Sequence, residues 1–278
     1  MTETPLITLN GSTWELAGAL RGYLECFTAA VASYDGSTRH AAELEELLAS
    51  YSQLVTDPAN EADYEQLAAT GTGTELIAQL RSESARCVAI IEKYRALRLL
   101  EGDGGAEGYF ANIESCIAEE FGAVAPDASS TVLLVGSGSF PMTLLNLAAR
   151  TGASARGIDI DHEALELGRK VVAQLGESLD IELLGERIEQ LDFLAEITHI
   201  VFSSTVSVKY ELLHQLHALT RDDVVVAMRF GDGLKSLFNY PLQPVDPDLW
   251  HCSAMIRQPE QVFDIALYTK TRTRMESN

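Results

Sequence analysis

The feature that most constrains this chain is the run Thr131-Val132-Leu133-Leu134-Val135, closed by Gly136-Ser137-Gly138. A continuous apolar run with no polar alternation reads as a strand covered on both faces, the condition of a strand inside a parallel sheet. The helical pattern of residues 140–150 follows directly. Glycine in such a turn lets a ligand approach the backbone closely, and the helix start beyond it offers unpaired amides to a polar group. Residues 128–149 carry no charge and are long enough to span a bilayer, but Gly136-Ser137-Gly138-Ser139-Phe140-Pro141 breaks the stretch into strand, turn and helix.

Beyond this point short Val- and Ile-rich runs alternate with helical stretches, and strands are expected at 131–135, 154–159, 180–184, 198–203, 223–229, 250–257 and 262–269. Only a short turn containing Gln258-Pro259-Glu260 separates the last two, so the sheet should close with an antiparallel hairpin. Upstream the pattern is helical. Leu16, Leu20, Tyr23, Phe27 and Val31 recur at spacings of three and four, with similar stripes at 41–56, 74–100 and 107–121. The expected fold is α/β: a class I methyltransferase-like Rossmann sheet of seven strands, the last antiparallel, preceded by an all-helical domain. The expected division is 1–125 helical and 126–278 sheet-bearing, with the boundary at Pro126-Asp127-Ala128-Ser129-Ser130.

With 20 basic and 41 acidic residues the 278-residue chain carries a net charge of −21, which repels phosphate backbones and anionic lipid. Nucleic acid and membrane are therefore unexpected partners, and a small-molecule substrate is expected. A homodimer is compatible with the sequence. Met1-Thr2-Glu3-Thr4-Pro5 has neither the basic start nor the apolar run of a signal peptide, so a cytoplasmic location is expected. Cys26, Cys87, Cys116 and Cys252 lack zinc-site spacing and read as reduced core thiols. No metal site is expected. His214 and His217, three apart on a helix, have no third ligand at a recognisable spacing, and His251 reads as a sheet residue.

About two dozen residues into the strand-turn-helix unit, Ile158-Asp159-Ile160-Asp161 ends the second strand with a carboxylate where a ribose diol would be gripped. Pro141 stands where a dinucleotide fingerprint has its third glycine, so a pyrophosphate cofactor fits less well than one without phosphates. S-adenosylmethionine meets that condition, and its sulfonium suits an acidic protein. The expected cofactor-binding residues are Gly136, Ser137, Gly138, Phe140, Pro141, Asp159, Asp161, Asp192 and Ser203. Asp192 either reaches the adenine amino group or caps a helix.

Gly136-Ser137-Gly138-Ser139-Phe140-Pro141-Met142-Thr143, the Asp159-Ile160-Asp161 element, and Arg229 through Tyr240-Pro241 to Val245-Asp246-Pro247 resemble nicotianamine synthases. The resemblance spans roughly residues 76–270 and is strongest to bacterial enzymes that add an aminobutanoyl group to histidine on the way to opine metallophores of the staphylopine and pseudopaline type. It implies transfer of the 3-amino-3-carboxypropyl arm of S-adenosylmethionine, with methylthioadenosine leaving, and helices that form the acceptor end of the cavity. Transfer to another amine acceptor, ordinary N-methylation of a small molecule, and a non-catalytic nucleoside-binding module are the competing readings.

An amine attacks only when unprotonated, so a base is useful. Glu92, with Ala85, Val88, Ala89 and Ala96 on its helix face, should be partly desolvated and raised in proton affinity; the alternative is an ion pair with Arg95. The resemblance carries a glutamate of a Leu-Glu-x-His element onto Glu92, although the histidine is replaced by Tyr94. It also matches Gly108-Tyr109-Phe110-Ala111-Asn112 to a Phe-Pro-Tyr-Tyr-x-Asn-Tyr element, which makes Tyr109 a second catalytic candidate and Asn112 a substrate contact, or else packing residues at a helix start. Arg229, ending the fifth strand, is suited to gripping a carboxylate or to pairing with Asp232. Lys209 and Tyr240 complete the expected substrate-binding set, with a solvated lysine and a packing tyrosine as the alternatives.

Overall fold

A computed structural model describes residues 13–102 and 125–271. Tyr109, Asn112, Cys116 and the helical stripe at 107–121 lie outside these residues.

The N-terminal segment folds as helices α1 (Thr13–Ser33), α2 (Ala41–Thr56), α3 (Glu61–Ala68) and α4 (Gly71–Leu100). The short α3 has no counterpart in the sequence reading, because its eight residues hold a single buried apolar side chain, Leu67. The longer helices coincide with the apolar stripes, and their inward faces meet in one cluster built on Leu16, Leu20, Phe27, Tyr51, Leu80 and Tyr94. Thr70 starts α4 by accepting a hydrogen bond from the Gly73 amide, which satisfies one of the donors a helix start leaves unpaired.

The second segment carries β1 (Thr131–Val135), β2 (Ser154–Ile158), β3 (Ile181–Leu184), β4 (His199–Phe202), β5 (Val225–Phe230), β6 (Trp250–Ile256) and β7 (Asp264–Lys270), with α5 (Met142–Thr151), α6 (His162–Leu175) and α7 (Lys209–Leu219) between them. Strand order is β3-β2-β1-β4-β5-β7-β6. The first five strands pair in parallel, and β7 runs antiparallel to both β5 and β6. All seven expected strands are present, β1 with the expected ends and the others with ends that differ by at most two residues.

Because successive side chains of a strand face opposite sides, the central strands need cover on both faces. Leu133 and Val135 pack with Leu213 and Leu216 of α7, whereas Val132 and Leu134 pack with Leu144 and Leu147 of α5 and Leu165 of α6. No helix among the described residues is long and apolar enough to cross a membrane. Of the thiols expected in the core, Cys87 is buried, but Cys26 and Cys252 are exposed. Cys26 sits on the outer face of α1, and β6 is an edge strand whose residues 251–255 are all exposed.

Two connections bind the helices to the sheet. The 3₁₀ segment Gly233–Leu237 after β5 leaves the sheet and inserts Leu234 and Leu237 into the helical core, followed by Phe238. There the Tyr51 hydroxyl donates to the Leu237 carbonyl at 2.9 Å and the Arg81 Nε donates to the Ser236 carbonyl at 2.7 Å. On the other side, buried Lys93 of α4 meets Asp161 Oδ2 at 2.7 Å and Glu163 Oε2 at 2.6 Å at the start of α6, and the Tyr34 hydroxyl joins Glu163 at 2.7 Å. Lys93→Met keeps the stem and removes the charge. With both carboxylates partly in water, the expected loss is about 1–2 kcal/mol in urea unfolding, and an unchanged midpoint would mean the bridge contributes nothing.

Candidate active site

A cavity of about 1090 Å³ opens between the carboxyl ends of the parallel strands and the faces of α2 and α4. Its floor is the 136–138 turn. Gly136 and Gly138 adopt φ of 82° and 67°, in the left-handed region that favours glycine. A Cβ on Gly136 would stand 2.8 Å from Val206 Cγ2, and one on Gly138 would collide with Glu92 Oε2. The second glycine is therefore the space into which the Glu92 carboxylate fits.

Asp159 organises the turn from below. Its Oδ2 accepts from the Gly138 amide at 2.8 Å and its Oδ1 from the Asp161 amide at 3.0 Å. Two amide bonds leave carboxylate lone pairs available for a diol at the cavity wall. Close packing of the turn on the next helix, which a dinucleotide fingerprint obtains from its third glycine, comes here from Gly168 of α6, where a Cβ would lie 3.1 Å from the Gly138 carbonyl. Ser137 Oγ is buried without a hydrogen-bond partner, a polar atom left over at the cavity floor. Ile160 is 91% exposed and lines the cavity, an apolar platform for a flat ring.

Glu92 is half-buried on α4 with Ala85, Val88 and Ala89 beside it in the wall. Burial pushes its pKa up to about 8, and the nearby Asp159 carboxylate adds to the rise; Arg95, the Ser139 amide and Arg229 oppose it. A carboxyl that ionises near neutrality is suited to accepting a proton from an ammonium. Across the cavity Arg229, buried at the end of β5, places both terminal nitrogens 3.4 Å from Thr143 Oγ1 and its guanidinium carbon 5.2 Å from the centre of the Phe263 ring.

The cavity thus brings together Glu92, Gly136, Ser137, Gly138, Phe140, Pro141, Asp159, Ser203 and Arg229. Four expected residues stand elsewhere. Asp161 caps α6 by accepting from the Glu163 and Ala164 amides and pairs with Lys93; burial raises its pKa, but the Lys93 and amide hydrogen bonds outweigh this and lower it. Asp192 is exposed and outside the lining, because the chain turns back into the cavity earlier, at 186–189; it is no cap either, since Phe193 precedes the 3₁₀ turn Leu194–Glu196. Lys209 is fully buried and donates to the carbonyls of Arg229 at 2.6 Å and of Ser204 and Tyr240 at 3.3 Å each, so it is a clip between three chain segments and touches no ligand space. Burial, then Arg81, pushes its pKa down to about 7. Tyr240 lies outside the lining with its ring under Arg81, 5.4 Å from the guanidinium carbon, while its neighbours Phe238 and Asn239 line the wall.

Thr143, Ile160, Val206 and Arg95 also line the cavity and were not expected to. Only Ile160 left a sequence signal, an apolar residue between two carboxylates at a strand end. His217 stacks edge-on against Trp250, 5.5 Å between centres, and the described residues contain no cluster of metal-ligating side chains.

No family model matches the sequence. The chain is similar to the L-histidine 2-aminobutanoyltransferase of Pseudomonas aeruginosa strain PAO1, 31% identical over 69% of this chain and 73% of that protein. It is 33% identical to the protein of the same name from Yersinia pestis over 59% of this chain and 62% of that protein. Among solved structures, a Glu-to-Gln variant of the nicotianamine synthase MtNAS aligns with a TM-score of 0.76 over 92% of this chain and 98% of that chain at 14% identity. The same variant in complex with S-adenosylmethionine gives 0.71 over 90% and 98%, also at 14% identity. At that identity the likeness establishes the fold.

The raised pKa of Glu92 has a consequence for stability. Between its ordinary value of 4.5 and about 8 the folded protein holds a proton that the unfolded chain has lost, so this group's favourable contribution is complete below 4.5 and is lost as pH rises through 8. Glu92→Gln removes the ionisation. It should raise Tm relative to the parent at pH 9, by an amount that shrinks as pH falls towards 4.5. A difference in Tm that does not vary with pH would rule out a desolvated carboxylate at this position.

Proposed function

The chain belongs to the L-histidine 2-aminobutanoyltransferase family, and on that premise we propose that it is a transferase that moves the 3-amino-3-carboxypropyl group of S-adenosylmethionine to the amine of histidine, releasing methylthioadenosine. The observation that carries the reading is the seating of the Glu92 carboxylate in the space left by Gly138, at the boundary between the glycine turn and the helical wall.

When bound, S-adenosylmethionine supplies a carbon activated by the sulfonium, and the electron pair of the broken C–S bond leaves with methylthioadenosine. The residues present fit such a molecule: two glycines at positions where any side chain would crowd the cradle, an unpaired Ser137 hydroxyl, a carboxylate at the end of β2 and an exposed isoleucine. In this reading Asp159 accepts the ribose hydroxyls and Ile160 supports the adenine. Arg229 grips the methionine carboxylate in paired hydrogen bonds. Glu92 takes the proton from the acceptor ammonium, so that the nitrogen lone pair is available for in-line attack on the longer arm of the sulfonium. The helical segment closes the acceptor end, where Ala85, Val88 and Ala89 leave room for a side chain. Lys209 holds the Arg229 backbone in place from outside the cavity.

The test is incubation of the protein with S-adenosylmethionine and histidine, followed by mass spectrometry. Methylthioadenosine and a histidine adduct enlarged by the aminobutanoyl unit are expected; S-adenosylhomocysteine in their place would mean methyl transfer and would overturn the proposal. The kcat/KM should rise with pH and level off above about 8 as Glu92 ionises. Glu92→Gln should lower kcat by about 100-fold or more, the usual scale of a lost general base, with little change in cofactor Kd. Equal losses in both would remove its role as base. Asp159→Ala should weaken S-adenosylmethionine binding first, by roughly tenfold or more for lost charge-assisted hydrogen bonds. Unchanged affinity by calorimetry would exclude its ribose contact.

A further inference from the structure

We propose that the side-chain carbonyl of Asn239 binds the α-ammonium of S-adenosylmethionine, so that Asn239 and Arg229 together grip the amino-acid end of the cofactor: one takes the amine and the other the acid. The inference rests on the reading in which S-adenosylmethionine occupies the cavity with its carboxylate at Arg229.

Asn239 is fully buried and belongs to the cavity wall. Its Nδ2 donates to the Val262 carbonyl at 2.6 Å, and because a carbonyl oxygen only accepts, this bond fixes which way round the amide stands. The other end of the amide, Oδ1, is buried with no hydrogen-bond partner. A carbonyl oxygen taken out of water and left unpaired carries its full desolvation penalty, and in the wall of a ligand cavity a donor on the ligand is what relieves it. The backbone holds the residue in place: the Asn239 amide donates to the Lys235 carbonyl at 2.9 Å.

The surroundings of Asn239 identify the donor. The segments that carry Asn239 and Arg229 are cross-linked: the Gly231 amide donates to the Tyr240 carbonyl at 3.1 Å, and Lys209 Nζ joins the carbonyls of Arg229 at 2.6 Å and Tyr240 at 3.3 Å. A Cβ on Gly231 would stand 3.0 Å from Asn239 Cβ, so the bare glycine lets Asn239 pack against the end of β5. Val262, which holds the amide, precedes Phe263, whose ring centre lies 5.2 Å from the Arg229 guanidinium carbon. The methionine arm carries its ammonium and carboxylate on one carbon, and a cation braced beside an unpaired acceptor complements that pair. An ammonium donates and never accepts, so a carbonyl suits it. A neutral amide also adds no anion to compete with the substrate acid for the guanidinium. Holding the cofactor's own amine on the sheet side leaves Glu92, on α4, to the amine of the acceptor.

The experiment is calorimetry on the full chain with three probes: S-adenosylmethionine, its desamino counterpart with hydrogen in place of the ammonium, and methylthioadenosine, which lacks the arm. Wild type should bind S-adenosylmethionine roughly tenfold or more tighter than the desamino compound, the scale of a hydrogen bond to a charged group. Asn239→Ala should bring that ratio to within a few-fold of one through loss of S-adenosylmethionine affinity, with the methylthioadenosine Kd unchanged. A merely structural asparagine would weaken all three probes together and leave the ratio intact, which would overturn the inference. An intact ratio with a raised KM for histidine would also overturn it, by placing the oxygen at the acceptor. If Asn239→Ala loses methylthioadenosine binding, the ratio for the nearly isosteric Asn239→Leu decides. Wild type that binds no S-adenosylmethionine would bring down the parent reading, and this inference with it; wild type that binds S-adenosylmethionine and the desamino compound equally brings down this inference alone.

Discussion

The arrangement turns on one close approach, that of the Glu92 carboxylate to the backbone of Gly138. Any other residue at 138 would put a carbon where the oxygen lies, and would have to do so in a left-handed conformation. The contact fixes how near α4 comes to the sheet and hence the width of the cavity. It also strips water from an acid beside a second acid, Asp159, which is the origin of its raised pKa. Shape and chemistry at this point have the same cause.

Such a contact persists only if the helices cannot drift from the sheet, and the two connections on either side of the cavity prevent that. One is apolar: the 233–238 segment belongs to the sheet by sequence and to the helical core by packing. The other is ionic, with Lys93 shared between two carboxylates at the start of α6. Both act on α4, one through Arg81 and the other through Lys93. The ionic clamp uses Asp161, which is why that carboxylate is unavailable to the cavity and Asp159 faces it alone.

Charge is distributed economically for a chain of net −21. The cavity collects Arg95, Arg187 and Arg229, whereas Lys209 is spent on backbone carbonyls. A buried ammonium surrounded by three carbonyl oxygens satisfies its donors without a counter-ion, and it joins the ends of β4 and β5 to the loop carrying Tyr240. Those strand ends carry Ser203 and Arg229, so Lys209 acts on the site through the backbone that bears them.

The parallel sheet, its closing antiparallel strand, the glycine turn and the carboxylate at the end of β2 are legible along the chain, because each is a local pattern: an unbroken apolar run, a pair of glycines, an acid at a fixed remove. It also pointed to Glu92, since small residues at helical spacing share a face whatever packs on them. What it could not decide was where long side chains spend their charge. Asp161, Lys209 and Tyr240 have the composition of a binding site, yet nearby amides, carbonyls and Arg81 claim them, and those partners come from segments far apart in the chain. Arg95 and Ile160 read as structural residues for the converse reason. A guanidinium one turn from an acid looks like an intrahelical ion pair, and an isoleucine between two aspartates looks like the last residue of a strand. Only the tertiary structure sets them facing the same enclosed space, because that space exists only between two segments folded against each other.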